Sequence, residues 1–190
     1  MKKIVMLVLM VLSSLFSYGK ELSQINILIM DVKESITING EVKNSEYKLS
    51  YIYPDFIRKD ILSPELNRGE VYIYTKDKKI VYLPLFDQKS EEVLSGDENE
   101  ALEAINFILT KDKDDSKFKE DYHAKKIKEI YLKNGRKVEI DSLKEYNGYL
   151  LPTKFIVYDG DMIIAKLQIK QYEVNSNINV QELSQLWLSL

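Results

Sequence analysis

The chain has 190 residues, 45% hydrophobic and 30% charged, with a net charge of −3 and no cysteine. This composition excludes disordered, collagenous and disulfide-stapled classes and fits one globular domain. Without Cys there is no thiolate zinc site, iron–sulfur cluster, thiol nucleophile or lipid-modified N-terminal Cys, and a single histidine, His123, cannot supply a histidine metal cage or a Ser–His relay.

Lys2 and Lys3 precede an apolar run, Ile4 to Phe16, broken only by Ser13 and Ser14, and Ser17 and Gly19 place small side chains at −3 and −1 of a cleavage point. The pattern predicts a secretory signal peptide over 1–19 and a mature domain over 20–190. The run is shorter than the roughly 20 residues that span a bilayer as a helix. Removing it takes away Lys2 and Lys3 and no acid, which leaves 25 basic against 30 acidic residues, a net −5. That sign disfavours nucleic acid as a partner. No later stretch reaches the ~18 consecutive apolar residues of a membrane helix, so the expectation is a soluble domain after export, in a periplasm.

In the mature region, Leu22, Ile25, Leu28, Ile29 and Val32 recur at helical spacing, which predicts an amphipathic helix from Lys20 to about Ser35. Beyond Ser35 the period changes to two. Ile36, Ile38 and Val42 alternate with polar neighbours, as do Tyr47, Leu49, Tyr51 and Tyr53, and turns are expected at Asn44-Ser45 and Pro54-Asp55. Ser63-Pro64 and Asn67-Arg68-Gly69 lead into two further strands, Val71 to Thr75 and Ile80 to Leu83, with Pro84 ending ladder donation. Ser90 to Glu100 reads as an acidic, turn-rich stretch, after which Asp97 caps a helix carrying Ala101, Leu102, Ile105, Phe107, Ile108 and Leu109.

Lys111 to Lys119 is dense in charge, with Phe118 its only large apolar residue, and predicts a solvated loop. His123 reads as a surface residue in a basic stretch. A second strand series follows: Ile127 to Leu132, an Asn134-Gly135 hairpin turn, Lys137 to Leu143, a turn at Asn147-Gly148, Thr153 to Tyr158, Asp159-Gly160, and Met162 to Val174. Val180, Leu183, Leu186, Trp187 and Leu190 end the chain as a short helix or edge segment. About nine strands and two or three helices predict an α+β domain, one strongly curved antiparallel sheet closed over helices.

The stretch from Tyr51 through Tyr53-Pro54, Phe56, Arg58, Ser63-Pro64 and Gly69 to Val71-Tyr72-Ile73-Tyr74 and Tyr82-Leu83-Pro84 resembles the core of the outer-membrane lipoprotein carrier and sorting proteins, the LolA type. Leu151-Pro152, Phe155 to Tyr158, the Asp159-Gly160 turn and Lys166 to Ile178 resemble that family's closing hairpin, so the likeness covers most of the mature chain. It implies an unclosed half-barrel with helices covering the concave side of the sheet and an apolar cavity between them. Two departures stand out. Such carriers have an Arg before the first Pro, where this chain has Tyr53, so the hand-over mechanism does not transfer at that position. Arg58 matches an Arg common on the following strand in the wider family, but on its own it reads as a strand Arg facing water. The missing Cys separates the chain from the acylated receptor of the same fold.

The resemblance implies a monomeric periplasmic carrier that binds the acyl chains of lipoproteins and shuttles them from inner to outer membrane. Its partners would be acylated lipoproteins, an inner-membrane release complex and an outer-membrane acceptor. The expected lining comprises Leu49, Tyr51, Tyr53, Ile57, Val71, Ile73, Leu102 and Ile105, although the alternation alone leaves open whether Val71 with Ile73 or Tyr72 with Tyr74 continues the Tyr51 face. Taken singly these residues also read as ordinary core. No cofactor and no catalytic or metal-binding set is expected. Pairs such as Asp114 with Asp115, Glu91 with Glu92 and Asp159 with Asp161 lack the ligand spacing of a calcium loop. The alternative is a periplasmic lipid-binding regulatory sensor built on the same half-barrel.

Overall fold

The computed structural model describes residues 19–54, 56–75, 78–93 and 100–176, with side chains from 103 onward in the last stretch. The expected signal peptide up to residue 18, the cap at Asp97 and the terminal apolar segment lie outside the described residues. Ten strands form a single sheet: β1 (Ile27–Ile38), β2 (Glu41–Ile52), β3 (Phe56–Ser63), β4 (Val71–Tyr74), β5 (Lys78–Leu83), β6 (Gln88–Val93), β7 (Glu129–Tyr131), β8 (Lys137–Tyr146), β9 (Tyr149–Asp159) and β10 (Met162–Val174). The spatial order is β6-β5-β4-β3-β2-β1-β10-β9-β8-β7, and every neighbouring pair is antiparallel. The sheet is therefore two meanders joined where β1 meets β10, and it does not close on itself.

Two helices, α1 (Glu100–Asp114) and α2 (Ser116–His123), lie in the connection between β6 and β7. Those strands are at opposite edges of the sheet, so the connection has to cross a whole face, and the helices are laid over it. Ala104, Ile105, Ile108 and Leu109, a stripe at helical spacing, join Leu28, Met30, Tyr47, Leu49, Phe155 and Leu167 in one buried cluster. On β10 the buried residues Ala165, Leu167 and Ile169 give way to Tyr172 and Val174, a change of parity. The register slips there against Asp31 and Val32 of β1, and this bulge keeps both halves of the strand facing the same interior.

Several sequence expectations are corrected. Lys20 to Ser35 is not a helix; a 3-10 turn covers Leu22–Gln24 and β1 begins at Ile27. Leu28, Met30 and Val32 alternate toward the helices while Ile29 is buried on the other face, so a strand carrying apolar residues on both sides imitates an i, i+3, i+4 stripe. β-branched residues, Ile27, Ile29, Val32, Ile36, Thr37 and Ile38, favour the extended form.

The first hairpin turns at Asn39-Gly40, with φ of 53° and 82°, and Asn44 and Ser45 sit inside β2. Asn-Gly is the pair that a two-residue hairpin with positive φ at both positions requires. β6 occupies part of the stretch read as turn-rich. All six of its residues are exposed, so it shows no alternation, and it is held by the ladder and by Lys78–Glu91 and Lys79–Glu92 pairs.

The charged stretch 111–119 is helical, not a loop. α1 continues to Asp114, and Asp115 caps α2 by accepting from the Phe118 N–H at 3.0 Å. Phe118 lies 6.0 Å from Phe107 and stacks on Tyr122 at 5.9 Å, giving the two helices a shared apolar seam. His123 is not a surface residue either. Its side chain is 14% exposed and meets the buried carboxylate of Asp112.

Candidate functional site

The helix-facing side of the sheet is the candidate site. Tyr47, Leu49 and Tyr51 occupy it by simple alternation along β2, and Tyr51 is 1% exposed. Its hydroxyl reaches the Pro54 carbonyl at 3.4 Å, and its ring meets Tyr53 edge-on with centroids 6.5 Å apart. Across the ladder Tyr51 pairs with Ile57, and Ile57 pairs with Tyr74, so one interior row runs through three strands.

The structure divides the expected lining. Leu49, Tyr51, Ile57 and Ile105 fall in one continuous buried cluster. Val71 and Ile73 do not join it; they form a second cluster with Ile80, flanked by Phe56 and Tyr82. Register gives the reason. Ile73 pairs with Arg58, one position away from the Ile57–Tyr74 pair, and alternation turns it to the opposite face. Tyr72 and Tyr74 therefore continue the Tyr51 face, which settles the alternative the sequence left open. Tyr53 lies at the end of the row, 45% exposed, while Leu102 falls in α1 without a described side chain.

Residues that sequence reading passed over shape the same interior. Tyr122 of α2 donates its hydroxyl to the Leu150 carbonyl at 3.1 Å, and Tyr172 of β10 donates to the Pro152 carbonyl at 2.5 Å. Burial pushes both phenols well above the ordinary tyrosine range. Glu34 follows Leu28, Met30 and Val32 on the interior face of β1 and is buried, with Lys59 at 3.6 Å and the Ser45 hydroxyl donating at 3.3 Å. The Lys59 ammonium also stands 3.9 Å from the centre of the Tyr47 ring, a desolvated cation over an aromatic face. Tyr72 donates to Glu70 at 2.7 Å, and burial, then that carboxylate, pushes the phenol up to about 12.

The site thus grades from an aromatic and aliphatic floor to a polar end at Glu34, Lys59 and Tyr72. Period two predicts a position's face but not its chemistry, and a charged residue on an apolar face gives no signal until its partner on another strand is known.

Arg58 does not face water. Its side chain is 12% exposed on the face opposite the helices, with Nε 2.9 Å from each Asp60 oxygen and Nη2 2.7 Å from Oδ1. Elsewhere, the 3-10 turns Glu65–Asn67 and Pro84–Phe86 frame a groove of about 170 Å³, lined by Leu66, Arg68, Glu70 and Phe86 among others. Among the described residues there is no group of three or more His, Asp or Glu side chains placed to hold a metal ion. No described helix is long and apolar enough to cross a membrane.

No protein-family profile matches the sequence, and no curated protein matches it either. Solved structures do match in fold. A structure described as an outer membrane lipoprotein-sorting protein domain from Vibrio parahaemolyticus is similar over 87% of this chain and 92% of its own, with a TM-score of 0.57 and 10% identity. A LolA superfamily protein from Nitrosomonas europaea is similar over 87% and 94%, with a TM-score of 0.56 and 13% identity. A DUF1329 family protein from Desulfovibrio piger is similar over 88% and 93%, with a TM-score of 0.59 and 12% identity. At these identities the likeness is one of fold: this chain has the unclosed half-barrel with helices that the LolA superfamily and lipoprotein-sorting domains share.

Proposed function

We propose that residues 1–19 direct export and are removed, and that the domain over 20–190 is a periplasmic carrier for the acyl chains of lipoproteins. The observation that carries this reading is the continuous apolar face of an unclosed sheet covered by two helices, with Leu49, Tyr51, Ile57 and Ile105 at its centre. The shared fold with lipoprotein-sorting domains supports it. Transfer of acyl chains from water is worth roughly 0.8 kcal/mol per buried CH₂, so cargo binding needs apolar area and no reactive group. Acyl chains would take the place of the packing that Ala104, Ile105, Ile108 and Leu109 of α1 now contribute to this cluster, and the helices would lift to admit them. A donor complex in the inner membrane would load the carrier and an acceptor at the outer membrane would unload it.

Native mass spectrometry of the protein purified from its own periplasm tests this directly. An adduct whose fragments carry fatty-acyl masses supports the carrier. Protein that is uniformly ligand-free there, and that also fails to bind a fatty-acyl probe after purification, rejects it.

A further inference from the structure

Asp112 sits in the last turn of α1, where the helix dipole and burial both disfavour a carboxylate, yet its side chain is 0% exposed. Its two oxygens have partners on two other elements. Oδ2 accepts from the Leu22 N–H at 3.0 Å, and Oδ1 meets His123 Nε2 of α2 at 3.2 Å. Leu22 itself is fully buried in the interior cluster. Beside this contact Lys119 of α2 reaches Glu21 at 2.5 Å.

The strap containing Leu22, residues 19–26, is fastened to the sheet at both of its ends. The Lys20 N–H donates to the Gly148 carbonyl at 2.7 Å, the Asn26 N–H to Asn175 Oδ1 at 2.8 Å, and the Tyr53 N–H to the Asn26 carbonyl at 2.9 Å. One carboxylate thus ties both helices to a segment anchored in the sheet. Among the described residues, the helices are also joined to β9 by the Tyr122 hydroxyl on the Leu150 carbonyl and to the β7–β8 turn by the Lys133 N–H on Glu103.

We propose that Asp112 is the latch of the helical cover: it sets how readily α1 and α2 lift from the interior face. As regulation of that site the proposal rests on the carrier reading, whereas the helix movement does not. The chemistry suits a catch better than an apolar anchor would. A carboxylate enforces one geometry in the closed state, and on opening it exchanges its two protein partners for water, so it specifies closure at a small net cost to opening. An additional buried leucine would cost the same area each time the helices lifted.

Hydrogen exchange read by mass spectrometry on the mature, ligand-free chain tests the latch, with Asp112→Ala, Asp112→Asn and His123→Ala compared with wild type. In Asp112→Ala, amides of α1, α2 and the strap should exchange at least tenfold faster while those of β1, β2, β9 and β10 keep their rates. Asp112→Asn should be intermediate, because its amide oxygen still accepts from Leu22. Should Asp112→Ala not fold, the same regional pattern is required of the other two variants. Acceleration spread evenly over the sheet, or none in the helices, overturns the proposal.

The second reading is the association rate of cis-parinaric acid, a fluorescent fatty acid, which should rise several-fold in Asp112→Ala. If the helices loosen and the probe binds no variant, the latch stands and the carrier reading falls. If the probe binds and helix exchange does not change, the reverse holds.

Discussion

Tyr51→Asp puts a carboxyl at the centre of the interior row, beside Ile57 and in the cluster that holds Leu49 and Ile105. Removing the buried ring costs about 3–5 kcal/mol by analogy with large-to-small aromatic substitutions, a large part of the ~5–15 kcal/mol that holds a domain together. The new carboxyl's cross-strand neighbours, Leu28 and Ile57, are both apolar and buried, so burial raises its pKa in the folded protein. The sign follows: with the folded value above the unfolded ~3.9, the variant is least destabilised below that value and loses further stability as pH rises through the raised one. Urea denaturation at pH about 4 and 7 should therefore show a larger deficit at the higher pH.

Two controls separate shape from charge. Tyr51→Phe keeps the ring and its edge contact with Tyr53 and loses a 3.4 Å hydrogen bond, which places its cost at the low end of ~0.5–1.5 kcal/mol. Tyr51→Leu keeps apolar bulk and should bind acyl chains within a few-fold of wild type, because the interaction is one of area. The assay is displacement of a fluorescent fatty-acyl probe from the mature protein, with circular dichroism as folding control. Lipid binding should fall sharply in Tyr51→Asp alone. Equal binding by wild type and a folded Tyr51→Asp would show that this face is not the ligand site, and an Asp variant equally destabilised at both pH values would show that position 51 is wet.

Tyr172→Phe should be costlier than Tyr51→Phe, at about 1–3 kcal/mol, because it strips a 2.5 Å donor from the buried Pro152 carbonyl. At ~2–4 °C per kcal/mol the difference is readable in a thermal melt, and equal drops would contradict the ranking. Lys59→Met leaves Glu34 buried without its cation and should destabilise by about 1–3 kcal/mol, while Lys59→Met with Glu34→Leu should recover most of that loss; a double-mutant cycle in urea that proves additive refutes the pairing. The Phe118 N–H, and then Lys111, hold the Asp115 carboxyl below the ordinary carboxylate range. Its cap contribution is thus present above the unfolded pKa and lost as pH falls through the lowered one. Asp115→Asn, an uncharged cap, should flatten the acid dependence of the helical circular dichroism signal, and an unchanged profile would remove Asp115 from the explanation.

What the sequence determined alone was local. Period two placed Tyr47, Leu49 and Tyr51 on one face, and Asn134-Gly135, Asn147-Gly148 and Asp159-Gly160 marked hairpins that the structure contains, with β10 running over the predicted Met162–Val174. These features depend on a few consecutive residues and on the backbone freedom of Gly and Asn. The order of weak signals from Tyr51 to Pro84 was enough to anticipate the half-barrel, because strand and turn spacing survives when identity does not.

Tertiary structure decided everything that needed a distant partner. β1 is a strand because β2 and β10 flank it and its Leu28, Met30 and Val32 face is buried under the helices, with Ile29 buried on the other side, which a helical count over Leu22 to Val32 could not see. β6 has no apolar residue facing inward and exists through its ladder with β5. Glu34 and Asp112 look solvated in sequence, and each is buried because a counter-charge or backbone donor arrives from another element: Lys59 from β3 for Glu34, and Leu22 from ninety residues away for Asp112. Burying a charged group is favourable only with such a partner in place, and the partner is a property of the fold rather than of the neighbouring sequence.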